Sequence, residues 1–192
     1  MTTTNAQGEF TLSSATLPTG RQTLLVDGFA QGFAVLAAPV DLSAGVTNQI
    51  AQPFTLPPVD MTTAVTVNPN ATTVVQSLTL NVSVTIPPHT AKNPDGTDYT
   101  GVLTISPVPE YGRTESRPVE LRPGLSITIQ PAGVVMATPV PITFPNQDTM
   151  TPGSELDLWS LSPDTGTFLQ VGTAKVSADG TRITTISGGV RK

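Results

Sequence analysis

Apolar and polar residues alternate most strictly between positions 78 and 86. Leu78, Leu80, Val82, Val84 and Ile86 are separated by single Thr, Asn and Ser residues. Because successive side chains of a β-strand point to opposite faces, this period of two predicts one strand over 78–86 with one buried face. Similar short segments predict further strands at 23–26, 102–105, 125–129 and 140–144.

The stretch 152–180 is predicted to form the centre of the fold. Two apolar segments, 156–161 and 168–171, flank a Pro-Asp-Thr-Gly turn at 163–166. A third strand is expected to follow and to end at Asp179-Gly180, a pair typical of hairpin turns. Apolar residues occur at successive positions here, and the only tryptophan, Trp159, lies among them. This pattern favours strands buried on both faces, as in a sandwich core.

The composition places these strands in an all-β protein. The 192 residues include 19 Pro and 16 Gly, scattered along the chain, and only 12% are charged. We expect two small antiparallel β-sandwich domains, 1–62 and 63–192, with a stiff linker at Pro57-Pro58 because proline is excluded from central strands.

Charge and cysteine content exclude several classes of partner. The net charge is −5, and the basic residues form only a loose group at Arg113, Arg117 and Arg122. A nucleic-acid partner would need a basic stripe, so none is expected. No apolar run approaches the roughly 18 residues of a membrane span. The absence of cysteine excludes disulfides and thiolate metal sites.

The first thirty residues resemble the end of a carboxypeptidase regulatory-like (transthyretin-like) β-domain. That end typically runs from a G-x-F-x-L segment into L-P-x-G and then L-x-V-x-G. The positions that fit are Gly8, Phe10, Leu12, Leu17, Pro18, Gly20, Leu24, Val26 and Gly28. The resemblance implies strands preceding Met1 and hence an unpaired sheet edge in this chain.

The second half resembles a module of very large bacterial surface proteins, which often carry tyrosine–aspartate (Rhs/teneurin-like) repeats downstream. The matching segments are I-P-P-H-T (86–90), D-G-T-D-Y-T-G-V-L-T-I (95–105), I-T-I-Q-P-A-G-V (127–134), P-V-P-I-T-F-P-N (139–146), P-G-S-E-L-D-L-W-S (152–160) and G-T-F-L-Q-V-G-T-A-K-V-S-A-D-G (166–180). It is similar, more distantly, to the β-domain of netrin receptors and ankyrins. The resemblance implies an extracellular or cell-surface location and neighbouring domains in a longer chain.

One metal site is a candidate. Asn93, Asp95 and Asp98 form N-x-D-G-x-D, which offers hard oxygen ligands around a glycine turn, as calcium prefers. The bidentate glutamate of an EF-hand is missing, because Thr104 occupies that place. The alternative is a plain turn in which Asp and Asn bond their own backbone. No other cofactor is expected.

The catalytic candidates are few. His89 is the only histidine, and neither a cysteine nor a nucleophile-elbow motif accompanies it. Glu155 and Asp157 are predicted to share one strand face, which could serve glycoside hydrolysis or simply be solvated. Lys175 could form an amide cross-link or point outward and blunt an edge strand. We therefore do not expect an enzyme.

The sequence favours a non-enzymatic structural or spacer module. One alternative is an adhesin that binds through loops 89–101 and 107–124, with or without calcium. A second is a self-cleaving β-domain, although the His-Phe/Ser junction of such domains is replaced by His89-Thr90. A third is a subunit that exchanges strands with another copy through an exposed sheet edge.

Overall fold

The computed structural model describes residues 1–13, 18–50, 53–108, 125–162 and 167–192. These residues form antiparallel sheets and contain two short 3₁₀ turns, Phe29–Gln31 and Met61–Thr63, but no α-helix. The predicted all-β class is confirmed. The strands are β1 (Gly20–Val26), β2 (Leu36–Leu42), β3 (Val65–Thr66), β4 (Thr73–Ser77), β5 (Val82–Ile86), β6 (Ala91–Lys92), β7 (Val102–Pro107), β8 (Ile127–Gln130), β9 (Val135–Met136), β10 (Ile142–Pro145), β11 (Glu155–Leu161), β12 (Phe168–Val176) and β13 (Arg182–Gly188).

Two sheets enclose the main core. A six-stranded sheet has the order β11-β12-β13-β10-β5-β4, and a three-stranded sheet has the order β3-β7-β8. Val75 and Val84 of the first sheet and Leu103 and Ile105 of the second belong to one cluster of buried apolar side chains. The two sheets therefore pack against each other over a shared core, an arrangement consistent with a β-sandwich.

The predicted strand over 78–86 is half right. β5 shows the expected alternation of burial, with Val82, Val84 and Ile86 each at most 2% exposed. Residues 78–81, however, form the turn between β4 and β5, and Asn81 has a φ of 53°. Leu78 is 85% exposed in that turn. The alternation continues through the turn by coincidence, since a turn with a left-handed residue breaks the period of two.

The stretch 152–180 is not the centre of the fold. β11 is an edge strand of the six-stranded sheet, and Trp159 is only half-buried. The predicted second and third strands are one strand, β12, which carries a register shift at Thr173/Ala174. The hairpin at Asp179-Gly180 is confirmed, because β12 and β13 pair across it. The predicted turn at 163–166 lies outside the described residues.

The strongest burial instead falls on β7, in which Leu103, Thr104, Ile105 and Ser106 are all 0% exposed. The segment before β3 is fastened to this strand. The Ser106 hydroxyl accepts the Asp60 N–H at 2.7 Å. The Thr63 hydroxyl accepts the Ile105 N–H at 2.8 Å, and its proton lies within reach of the carbonyls of Asp60, at 2.8 Å, and Ile105, at 3.0 Å. A side chain thus supplies the hydrogen bonds that a paired strand would supply.

The N-terminal part forms a separate small sheet. β1 and β2 pair through seven residues each, from Gly20↔Leu42 to Val26↔Leu36. The chain after β2 returns to the connection between β1 and β2, through a bridge between Phe33 and Pro58 and a hydrogen bond from the Ala34 N–H to the Pro57 carbonyl at 2.8 Å. Pro57 and Pro58 are thus bonded to the preceding loop. The proposed division at 62/63 stays a prediction.

Thr63→Val is expected to destabilise the protein by roughly 1–3 kcal/mol, because it leaves the buried Ile105 N–H without its acceptor. Thr104→Val is the matched control. The Thr104 hydroxyl is buried without a partner among the described residues, so its loss is expected to be neutral or stabilising. Urea denaturation measures both, and equal losses of stability would contradict the role given to Thr63.

Gly172→Ala is expected to cost roughly 1–3 kcal/mol through overpacking. A Cβ at this position would collide with the Ser187 carbonyl oxygen and lie 2.9 Å from the Gly189 nitrogen. The control is Ser187→Ala, which keeps the backbone and removes only an exposed hydroxyl. Thermal unfolding of both variants tests the prediction, and an unchanged midpoint for Gly172→Ala would contradict it.

Candidate functional site

The histidine candidate and the proposed calcium ligands lie in one loop, residues 89–99. β6 opens this loop, and Lys92 forms an antiparallel bridge with Asp98 across it. The turn between them is closed by hydrogen bonds from the Asn93 N–H to the Thr97 carbonyl and from the Gly96 N–H to the Asn93 carbonyl, both 2.9 Å. Gly96 has a φ of 86°, which glycine adopts without strain. The loop is therefore a tight hairpin.

Asp98 is the centre of a cluster of three polar side chains. Lys92 Nζ lies 2.7 Å from Asp98 Oδ1, and His89 Nδ1 lies 2.9 Å from Asp98 Oδ2. The hydrogen bond from Lys92, followed by that from His89, holds the pKa of the Asp98 carboxyl below its usual value of 3.8. The His89 side chain is more than half exposed. The cluster is an open surface arrangement, so we expect water and salt to screen it.

Asp95 and Asn93 are engaged elsewhere in the turn. Asp95 Oδ1 accepts hydrogen bonds from the Thr97 hydroxyl at 2.6 Å and from the Thr97 N–H at 3.0 Å, which lower the pKa of Asp95. The Asn93 amide donates to the Thr97 hydroxyl at 3.0 Å and to the Asp98 carbonyl at 3.2 Å. These bonds are those of an Asx turn.

The proposed calcium ligands therefore share a loop but bind different partners. A cation would have to compete with Lys92 and His89 for the two carboxylate oxygens of Asp98, whereas Thr97 bonds only Oδ1 of Asp95. Among the described residues, no group of three or more His, Cys, Asp or Glu side chains could hold a metal ion. Calcium binding at Asn93, Asp95 and Asp98 stays a prediction.

The other candidate residues lie on the β11–β12 hairpin. Glu155 and Asp157 are both exposed, as expected for residues two apart on one strand. Lys175 stands opposite Glu155, and its Nζ lies 3.1 Å from Glu155 Oε1. Asp157 accepts a hydrogen bond from the Gln170 side-chain amide at 2.6 Å. The carboxylates are thus occupied by cross-strand partners on an exposed surface.

An open groove lies beside this hairpin. Its volume is about 580 Å³, and Pro152, Lys175, Thr184 and Ile186 are among its lining residues. Apart from the ion-paired Lys175, no candidate residue lines the groove. It therefore does not gather the candidates into a site.

Sequence reasoning treated His89 and Asp98 separately, did not consider Lys92, and missed the association of the three residues. The signal that could have found it is the hairpin itself: Asx residues and Gly96 close a turn, which places positions 92 and 98 opposite each other. Of the second proposed binding loop, 107–124, residues 109–124 lie outside the described ranges, as do Arg113, Arg117 and Arg122.

Comparison with known proteins adds no relative: no family model, curated protein or solved structure matches the chain. The resemblances to carboxypeptidase regulatory-like domains and to bacterial surface modules therefore remain hypotheses. Within the described ranges, the structure has no helix long and apolar enough to cross a membrane.

Lys92→Gln is expected to raise the pKa of Asp98 toward 3.8, because it removes the main hydrogen-bond donor to the ionised carboxylate. Lys175→Gln is the matched control, since its ion pair lies on the other hairpin. Carboxyl-carbon NMR titration measures the shift. A depressed pKa stabilises the fold above 3.8, and this contribution is lost as the pH falls through the pKa of the folded state. An unshifted Asp98 in Lys92→Gln would contradict the assignment.

Proposed function

We propose that the chain is a non-enzymatic structural or spacer module of an extracellular bacterial surface protein. The proposal is supported by the hydrogen bonds and ion pairs that the candidate carboxylates make. Asp95 closes a turn, Asp98 joins the two sides of a hairpin, and Glu155 pairs with the neighbouring strand. Each carboxylate is bonded to its own local structure and is not directed into a shared pocket.

The architecture supports the same role. A spacer has to keep its shape while it holds neighbouring domains apart. The two sheets share one buried cluster, and Thr63 and Ser106 fasten the preceding segment to β7. Burial of apolar side chains and bonded polar groups gives the cooperative stability that such a module needs.

The adhesin remains the second candidate, because the loop at 89–99 is an exposed hairpin that carries three charged side chains. A protein ligand would meet the imidazole of His89, which is 58% exposed, and the Asp98 carboxylate beside it. Calcium is the practical discriminator between the two, since an adhesin loop that needs the ion gains stability when the ion binds.

We expect the melting temperature to be unchanged between zero and 10 mM calcium, with magnesium at equal ionic strength as the control. Ligand at 100 times its dissociation constant would stabilise the fold by about 2.7 kcal/mol, an easily visible rise. Asp95→Asn is the matched variant. A calcium-specific rise that Asp95→Asn removes would overturn the spacer assignment and favour the adhesin.

A further inference from the structure

The β11–β12 hairpin turns one face away from the interior of the protein. Leu156 and Leu158 of β11 pack in the two apolar clusters of the interior. Because successive residues of a strand face opposite sides, their neighbours Asp157 and Trp159 point outward. Leu161, two residues beyond Trp159, points outward as well.

β12 contributes two residues to the same outward face. The register shift between β11 and β12 leaves Val171 as the extra residue of a β-bulge, and Val171 packs against the core. Gln170 and Phe168 therefore point outward, since they alternate with residues on the inner face. The Gln170 side-chain amide donates a hydrogen bond to Asp157 Oδ1 at 2.6 Å, as two side chains on one face can.

Three apolar side chains form a platform on the outward face, namely Trp159, Leu161 and Phe168. Leu161 stands opposite Phe168 across the hairpin. Each of the three is half-buried. None of them is among the described side chains that pack against the two apolar clusters. The only tryptophan of the chain therefore lies at the surface of the sheet and not in the core.

Two polar side chains border the platform. Gln170 stands opposite Trp159, and Asp157 precedes Trp159 by two residues on the same face. Their mutual hydrogen bond uses one oxygen of Asp157 and one N–H of Gln170. The second carboxylate oxygen and the amide oxygen are further acceptors, and the amide has a second N–H to donate. The platform is thus edged by donors and acceptors that hold each other in place.

The rest of the outward face is polar. The register of the six-stranded sheet joins one outward residue of every strand into a row, which reads Glu155, Lys175, Thr184, Thr143, Ser83 and Gln76. The open groove lies on this row, because Lys175 and Thr184 are among its lining residues. A stable protein interface buries about 800 Å² per partner and has few charged residues at its centre. A small platform beside a polar row therefore suits a hydroxyl-rich small ligand better than a protein.

We propose that this face binds a neutral oligosaccharide, with one pyranose ring stacked on Trp159 and Phe168. A pyranose carries C–H groups on its faces and hydroxyls around its rim, which matches an apolar platform edged by hydrogen-bonding groups. The ring hydroxyls bond Asp157 and Gln170, and bonds to an ionised carboxylate are stronger than those between neutral groups. Asp157 would repel an acidic sugar, so the ligand is neutral.

The first test uses Trp159 as its own reporter, because it is the only tryptophan of the chain. The whole chain is screened on an array of neutral oligosaccharides built from glucose, galactose, mannose and N-acetylglucosamine. We expect at least one to bind with a dissociation constant in the millimolar range or tighter. Titrated in solution, that oligosaccharide should shift the tryptophan emission and protect it from quenching by acrylamide.

Three variants locate the site by isothermal titration calorimetry with the same oligosaccharide. Trp159→Ala is expected to weaken binding by roughly tenfold or more, because the aromatic surface under the sugar is lost. Gln170→Ala, which removes an exposed amide, should weaken it by roughly threefold to tenfold. Leu169→Ala is the matched control and should leave binding unchanged, since Leu169 is 50% exposed on the opposite face of the same hairpin. Gln170→Ala keeps the test decisive if Trp159→Ala perturbs the fold.

Failure to bind every oligosaccharide of the array overturns the proposal. Binding that leaves the tryptophan emission unchanged, or that neither Trp159→Ala nor Gln170→Ala weakens, overturns it as well, because the sugar would then lie elsewhere. The proposal does not rest on the spacer role and does not involve the 89–99 loop. The calcium titration therefore leaves it unaffected, and the two proposals fail separately.

Discussion

The burial of β7 is the constraint on which the rest of the structure depends. Leu103 and Ile105 contribute to the core shared with the six-stranded sheet, while Thr104 and Ser106 are equally buried. A strand covered on all sides must have its backbone groups bonded within the protein, because an unpaired buried polar group is costly. The Thr104 hydroxyl is the exception among the described side chains. β3, β8 and the segment around Thr63 supply most of these bonds.

Threonine hydroxyls recur where regular strand pairing is interrupted. Thr63 bonds both backbone groups of Ile105, and Thr185 does the same for Ile142, accepting its N–H at 3.0 Å and donating to its carbonyl at 2.9 Å. In both cases one side chain replaces the two hydrogen bonds of a strand neighbour. Threonine therefore does more here than favour strand conformation. Its hydroxyl can bond backbone groups where a short strand ends or changes partner.

Aspartate side chains at the surface are also bonded within their own turns and hairpins. Asp95, Asp98 and Asp179 each bind donors within a few residues, and Asp179 accepts bonds from Ser177 and Thr181 that lower its pKa to about 2. A carboxylate held by its own turn stabilises that turn and is less free to bind a ligand. This use of charge supports the proposed structural role.

The local pattern by itself determined the all-β class, the strand at β5, the Asp179-Gly180 hairpin and the turn in the 89–99 loop. Two-residue periodicity and turn chemistry are local properties of the sequence. Only the tertiary structure decided that β7 is the most buried strand, that β11 is an edge and that 78–81 form a turn. Those outcomes depend on which distant strands cover a segment, and an apolar run looks the same at the edge of a sheet as at its centre. The association of His89, Lys92 and Asp98 likewise needed the hairpin register, which sets side chains opposite each other in space.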